Sequence, residues 1–172
     1  MANLVILTAD ELLALGSLRR QVARRSAREQ PLVRLILEIF AQRGGPIPID
    51  AIIAASAERR EATHDAFVAL DDEDIIRVRG GHIDLAYPFS AVTTPFLVRL
   101  SGGRERYACC ATDALGIAPM VGESVEIRSS CHHCGAPLKF AATPDAPGPE
   151  AEGVMVWFGK RGEEACKAAD SL

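Results

Sequence analysis

No run of apolar residues in this chain of 172 approaches the ~20 that a membrane-spanning helix needs. The N-terminal stretch Leu4-Val5-Ile6-Leu7 is too short for the hydrophobic region of a signal peptide. Asp10 and Glu11 follow it where a cleavage site would stand. An excess of positive charge is also missing. Lys and Arg number 19 against 23 Asp and Glu, and the net −4 gives no general reason to expect nucleic acid or a membrane as partner. No internal repeat divides the chain. With no export signal, the expected location is the cytoplasm.

What is there suits an ordinary globular protein. Hydrophobic residues make up 48% and charged residues 24%, enough for one medium domain or two small ones sharing a core. Five cysteines in a reducing compartment argue against a disulfide framework. Cys109, Cys110, Cys131 and Cys134 cluster, while Cys166 stands apart near the end. An odd, clustered set points to metal binding or thiolate chemistry, with buried spectator thiols as the alternative for each one alone.

The texture changes near residue 90. Thr8, with Glu11 three residues on, has the capping-box pattern of a helix start. Leu12, Leu13, Leu15, Leu18 and Val22 then recur at helical spacing against Arg19, Arg20, Arg24, Arg25 and Arg28. A second helix is expected from Pro31, with Leu32, Leu35, Ile36, Ile39 and Phe40 as its apolar stripe and Gly44-Gly45 as its end. Short helices follow over Ala51–Ala57 and about Glu61–Leu70. Ile75–Arg79 and His82–Leu85 then flank Gly80-Gly81 as a hairpin. Helices followed by a hairpin make a winged-helix unit over residues 1–90. Its DNA-reading helix would carry Glu61, Asp65 and the run Asp71–Asp74, which repel phosphate, so a packing scaffold is the better reading.

Over residues 91–172 strands are expected at Pro95–Leu100, Ser124–Ser129, Leu138–Ala141 and Val154–Phe158, with a loop over Thr143–Gly153. Trp157 and Phe158 are expected in the core. The predicted class is α+β: an N-terminal winged-helix-like helical half packed on a small mixed β-sheet with short helices.

The segment Tyr107-Ala108-Cys109-Cys110-Ala111-Thr112-Asp113-Ala114-Leu115-Gly116 carries the chemistry. A short helix over Cys110–Leu115, ended by Gly116, puts Cys110 and Asp113 on one face. A thiol near a helix N-terminus is favoured as thiolate, and a neighbouring carboxyl can take up or deliver a proton. A soft nucleophile beside a proton donor is what cleavage of a carbon–soft-metal bond requires. A buried cysteine beside an exposed Asp is the bland alternative.

Tyr-Ala-x-Cys-Ala-x-Asp followed by an apolar run resembles the active-site segment of organomercurial (alkylmercury) lyases. The likeness continues through Val125–Ser130, Cys131 and Gly135-Ala136-Pro137, and the helical N-terminal half has a similar layout. The resemblance implies that Cys110 captures the mercury of an organomercury substrate, that a second cysteine joins it on the metal, and that Asp113 helps protonate the departing carbon. Hydrocarbon leaves, and Hg(II) passes to another thiol or to an acceptor of the mercuric reductase type, in mercury detoxification. No cofactor is required in this scheme.

In the family the second catalytic cysteine follows the strand that here is Val154–Phe158, and this chain reaches Leu172 about where it would come. A chain continuing past Leu172, Cys166 standing in from a shifted position, or a homologue without lyase activity would each meet that departure. Cys109 is a fourth candidate thiol, although on one helix it would point ~100° away from Cys110. Cys131-His132-His133-Cys134 adds a C-x-x-C metal spacing with no second well-spaced pair. Cys109 or Cys110 would have to complete a zinc site. The alternative function is a non-catalytic soft-metal protein holding Hg, Cu or Zn on Cys109, Cys110, Cys131 and Cys134. A metal-responsive winged-helix regulator ranks below it.

Overall fold

The computed structural model describes residues 30–56 and 60–157. The expected helix from Thr8 with its arginine face, Phe158 and the segment carrying Cys166 lie outside these residues.

Helix α1, Pro31–Arg43, starts on its proline and buries Val33, Ile36, Leu37 and Phe40. The buried stripe is thus rotated from the expected one, with Leu32, Leu35 and Ile39 only partly covered. Gly44, at φ 79°, ends the helix and donates its N–H to the Phe40 carbonyl. A side chain on Gly45 would place its Cβ 2.5 Å from the Phe40 ring, so the second glycine gives room for that aromatic. Strand β1 (Ile47–Pro48), α2 (Ile49–Ala55) and α3 (Arg60–Asp72) follow. Strands β2 (Ile76–Arg79) and β3 (His82–Ala86) form the expected hairpin. Its register shifts between Arg77 and Val78, and the Arg77 guanidinium donates to both carboxylate oxygens of Asp84, at 2.8 and 3.2 Å.

The second half supplies β4 (Phe89–Ser90), β5 (Leu97–Arg99), β6 (Glu105–Ala108), α4 (Ala111–Val121), β7 (Val125–Ser130) and β8 (Pro137–Ala142). All eight strands join one sheet in the order β1-β3-β4-β6-β5-β7-β8, with β2 on the other edge of β3. Every pairing among the described residues is antiparallel, which corrects the expected mixed sheet. Hairpins and short loops join most neighbouring strands, whereas parallel neighbours need long crossovers. The sheet also runs through both halves of the chain. One apolar core joins α1 and β3 to β7 and α4. Phe40 of α1 and Phe89 of β4, both fully buried, stack within it with ring centroids 6.1 Å apart.

Three further expectations are corrected. Helix α4 runs through Gly116 and ends at Gly122, which adopts the left-handed conformation at φ 71°. Beyond Gly116, Ile117 and Ala118 are fully buried, and covering an isoleucine gives roughly 1.5–3 kcal/mol, more than the ~1 kcal/mol an internal glycine costs. Val154–Trp157 form no strand, and Trp157 is 67% exposed rather than in the core.

Candidate active site

Strand β6 delivers Cys110 to the start of α4, and three long-range contacts fix its exit. The Thr94 hydroxyl donates to the Ala108 carbonyl at 2.6 Å, the Ala108 amide to the Phe96 carbonyl at 2.9 Å, and the Cys109 amide to the Pro88 carbonyl at 3.0 Å. Cys110 is the N-cap of α4, in extended conformation at φ −153°, ψ 179°. Neighbouring side chains of an extended segment point to opposite sides. Cys109 therefore turns into the core beside Leu85 and Tyr87, its thiol donating to the Phe89 carbonyl at 3.3 Å, while Cys110 is only partly covered.

Asp113, in the first turn of α4, is three residues on, and the Cys110 thiol donates to its Oδ2 at 2.9 Å. Burial first, and then the Asp113 charge and the hydrogen bond to it, push the thiol up from 9.0 to about 11. The Asp113 amide and the Thr112 hydroxyl lie toward the sulfur and pull the other way, without closing a full capping bond. The helix start alone predicts an acidified thiol; burial, with a carboxylate in contact, reverses that expectation. The thiol proton is aimed at the Asp113 carboxyl, so a cation that takes the sulfur can hand that proton to Asp113.

Cys131 and Cys134 sit in the loop between β7 and β8. The Cys131 amide donates to the Ala136 carbonyl and the Gly135 amide to the Cys131 carbonyl, both at 2.8 Å. The backbone N–H groups of Cys134 and His133, and the Cys134 thiol, face the Cys131 sulfur and hold its pKa below 9.0. Among the described residues, no three His, Cys, Asp or Glu side chains form a group that could hold a metal ion. The expected four-sulfur set of Cys109, Cys110, Cys131 and Cys134 is therefore not assembled, because Cys109 is turned into the core and the loop pair stands apart from Cys110. Cys166 lies outside the described residues. Two surface depressions, one against Leu115, Pro119 and Ala142 and one against Leu35, Ile39 and Ile47, are lined by neither Cys110 nor Asp113.

Sequence patterns alone missed Thr94, Phe96 and Pro88 as holders of the cysteine segment. Thr94 meets its partner fourteen residues away, and no local spacing signals such a contact.

The alkylmercury lyase family (MerB) matches residues 89–172, from β4 through all five cysteines. The alkylmercury lyase of Staphylococcus epidermidis is 28% identical over 114 residues, 66% of this chain and 50% of that protein. That of Bacillus cereus is 42% identical over 43 residues, 25% of this chain and 20% of that protein, and that of Clostridium butyricum gives the same figures. The chain thus spans half or less of the length of these relatives. Its fold is similar to the crystal structure of the mercury-bound form of MerB2, with a TM-score of 0.60 at 19% identity over 76% of this chain and 64% of that one. At that identity the likeness speaks for the fold. Residues 89–172, which hold the Cys110–Asp113 pair, match the alkylmercury lyase family.

Proposed function

We propose that this protein cleaves the carbon–mercury bond of small organomercury compounds, with Cys110 as the capturing thiol and Asp113 as the proton carrier. The observation that carries the proposal is the 2.9 Å hydrogen bond from the Cys110 thiol to Asp113 inside the family-matched stretch. An organomercury cation bonds to the Cys110 sulfur and displaces its proton, which Asp113 accepts. A second thiol then adds to mercury as its thiolate, its proton passing to solvent, and two sulfurs push electron density onto the metal and polarise its bond to carbon. The protonated Asp113 delivers its proton as that bond breaks, and hydrocarbon leaves with mercury held by two sulfurs. Asp113 ends as the carboxylate with which it began.

The second thiol is a small cellular thiol or Cys166. Cys109 is disfavoured by its burial and its bond to Phe89. Hg(II) then passes to a free thiol or to a reductase-type acceptor, a detoxification step that suits a cytoplasmic protein. No helix among the described residues is long and apolar enough to cross a membrane. We read the order α1-β1-α2-α3-β2-β3 as a winged helix. Its exposed Glu61, Asp65, Asp72 and Glu73 favour a scaffold over a nucleic-acid reader.

Benzene release from phenylmercury in excess small thiol tests the proposal. Wild type is expected to turn over and Cys110→Ser to fall to the rate of the buffer. Stoichiometric mercury binding without benzene from wild type would instead support the non-catalytic soft-metal reading.

A further inference from the structure

The Cys131–Cys134 pair is not used by the Cys110 chemistry, yet the sheet brings it to the same end of the molecule. Tyr107 of β6 and Arg128 of β7 both pair with Leu97 of β5. Strands β6 and β7 therefore run in the same direction on either side of β5. Cys110 comes three residues after Tyr107, and Cys131 three residues after Arg128. The two cysteines leave the sheet at one end, two strand spacings apart, about 10 Å.

The loop at that end is built rather than loose. Bonds from Cys131 to Ala136 and from Gly135 to Cys131 close it, and Gly135 takes the left-handed conformation at φ 72° that the tight return needs. Closure sets the Cys134 thiol against the Cys131 sulfur, with two backbone N–H groups facing that sulfur. Both cysteines are free, Cys134 exposed and Cys131 partly so. Neither His132 nor His133 joins the two sulfurs in a group of three. A closed zinc site needs four ligands, so the arrangement does not suit zinc. Two adjacent sulfurs with no third donor among the described residues suit a soft cation that is content with two ligands.

We propose that Cys131 and Cys134 form a dithiol site for Hg(II), separate from Cys110 and placed to take the metal from it. The acceptor role rests on the lyase reading above; the binding itself does not. In the transfer, mercury exchanges its bonds to Cys110 and the second thiol for bonds to Cys131 and Cys134. Two protons leave the loop thiols, and two are taken up by the released sulfurs, one of them returning to Cys110 beside Asp113. No change of oxidation state occurs. An organomercury cation bonds strongly to one sulfur and only weakly to a second, whereas Hg(II) takes two strong sulfur bonds, so the site distinguishes product from substrate.

The test is mercury retained per chain after mercuric chloride is added with excess small monothiol and the protein is desalted. The background is full-length Cys110→Ser/Cys166→Ser, which leaves the loop pair as the accessible thiols. One equivalent of Hg(II) is expected to stay bound. Adding Cys134→Ser is expected to lower the monothiol needed to strip it about a hundredfold, as befits loss of an intramolecular second ligand. His132→Ala/His133→Ala should retain mercury like the background, and phenylmercury should be stripped equally from the background and from Cys134→Ser. No retained Hg(II) in the background variant, or retention unaffected by Cys131→Ser and Cys134→Ser, would overturn the site. Benzene release by wild type, measured separately, stands or falls on Cys110 and is independent of this result.

Discussion

At the scale of single residues, the proposed chemistry turns on one proton held between Cys110 and Asp113. Because burial and the Asp113 charge raise the thiol to about 11, iodoacetamide should label Cys110 slowly at pH 8. Its rate should climb roughly tenfold per pH unit toward about 11. Asp113→Asn removes the charge but not the burial, so the midpoint should fall below 11 and stay above the ordinary 9.0. Peptide mass spectrometry of the labelled cysteine across pH checks both, and a wild-type plateau near 9 would contradict the geometry. The same shift affects stability in a defined window. Below pH 9 the thiol is protonated in folded and unfolded chains alike and favours neither. Between 9 and about 11 the unfolded chain loses the proton first, so the fold weakens as pH rises through that interval.

At the scale of elements, the start of α4 is set by contacts made elsewhere. Thr94→Val removes the donor to the Ala108 carbonyl and should cost about 1 kcal/mol in urea unfolding. It should also slow benzene release, since the exit of β6 aims Cys110. Unchanged turnover with lowered stability would separate that threonine from the site. On the other side, Arg106 donates to the Phe40 carbonyl at 2.6 Å and Arg104 to the Ala41 carbonyl at 3.3 Å, so β6 caps the end of α1. Arg106→Ala should cost about 1–2 kcal/mol in the same measurement. These elements also show what was legible in the sequence. The i, i+3 spacing of Cys110 and Asp113 sufficed to pair them, Pro31 and Gly44 to bound α1, and Gly80-Gly81 to set the hairpin. The end of α4 was not legible, because burial of Ile117 outweighs Gly116 and that burial depends on β6 and β7. The opposed directions of Cys109 and Cys110 were hidden for a related reason. Their divergence comes from an extended backbone at the helix cap, which long-range hydrogen bonds hold in place.

At the scale of the whole molecule, one antiparallel sheet threads both halves of the chain, and Phe40 of α1 stacks on Phe89 of β4 in the core they share. Phe89→Ala should cost about 3–5 kcal/mol, since a fully buried aromatic leaves a cavity that the helices and the sheet share. Denaturant midpoints followed by fluorescence and by circular dichroism should fall together, as one core requires. Strand order and direction were illegible in the sequence, where short alternating runs carry no record of which neighbour they pair with. That topology is what places the Cys131–Cys134 loop and Cys110 at a common end.

The most direct measurement is the intact mass of Asp113→Asn after exposure to phenylmercury and excess small thiol. Asparagine cannot carry the displaced proton to carbon, so phenylmercury is expected to accumulate on Cys110 while benzene release falls by roughly a hundredfold or more. Wild type under the same conditions should carry mercury without phenyl, or no adduct at all. Undiminished benzene release by Asp113→Asn, with no phenylmercury adduct, would contradict Asp113 as the proton carrier.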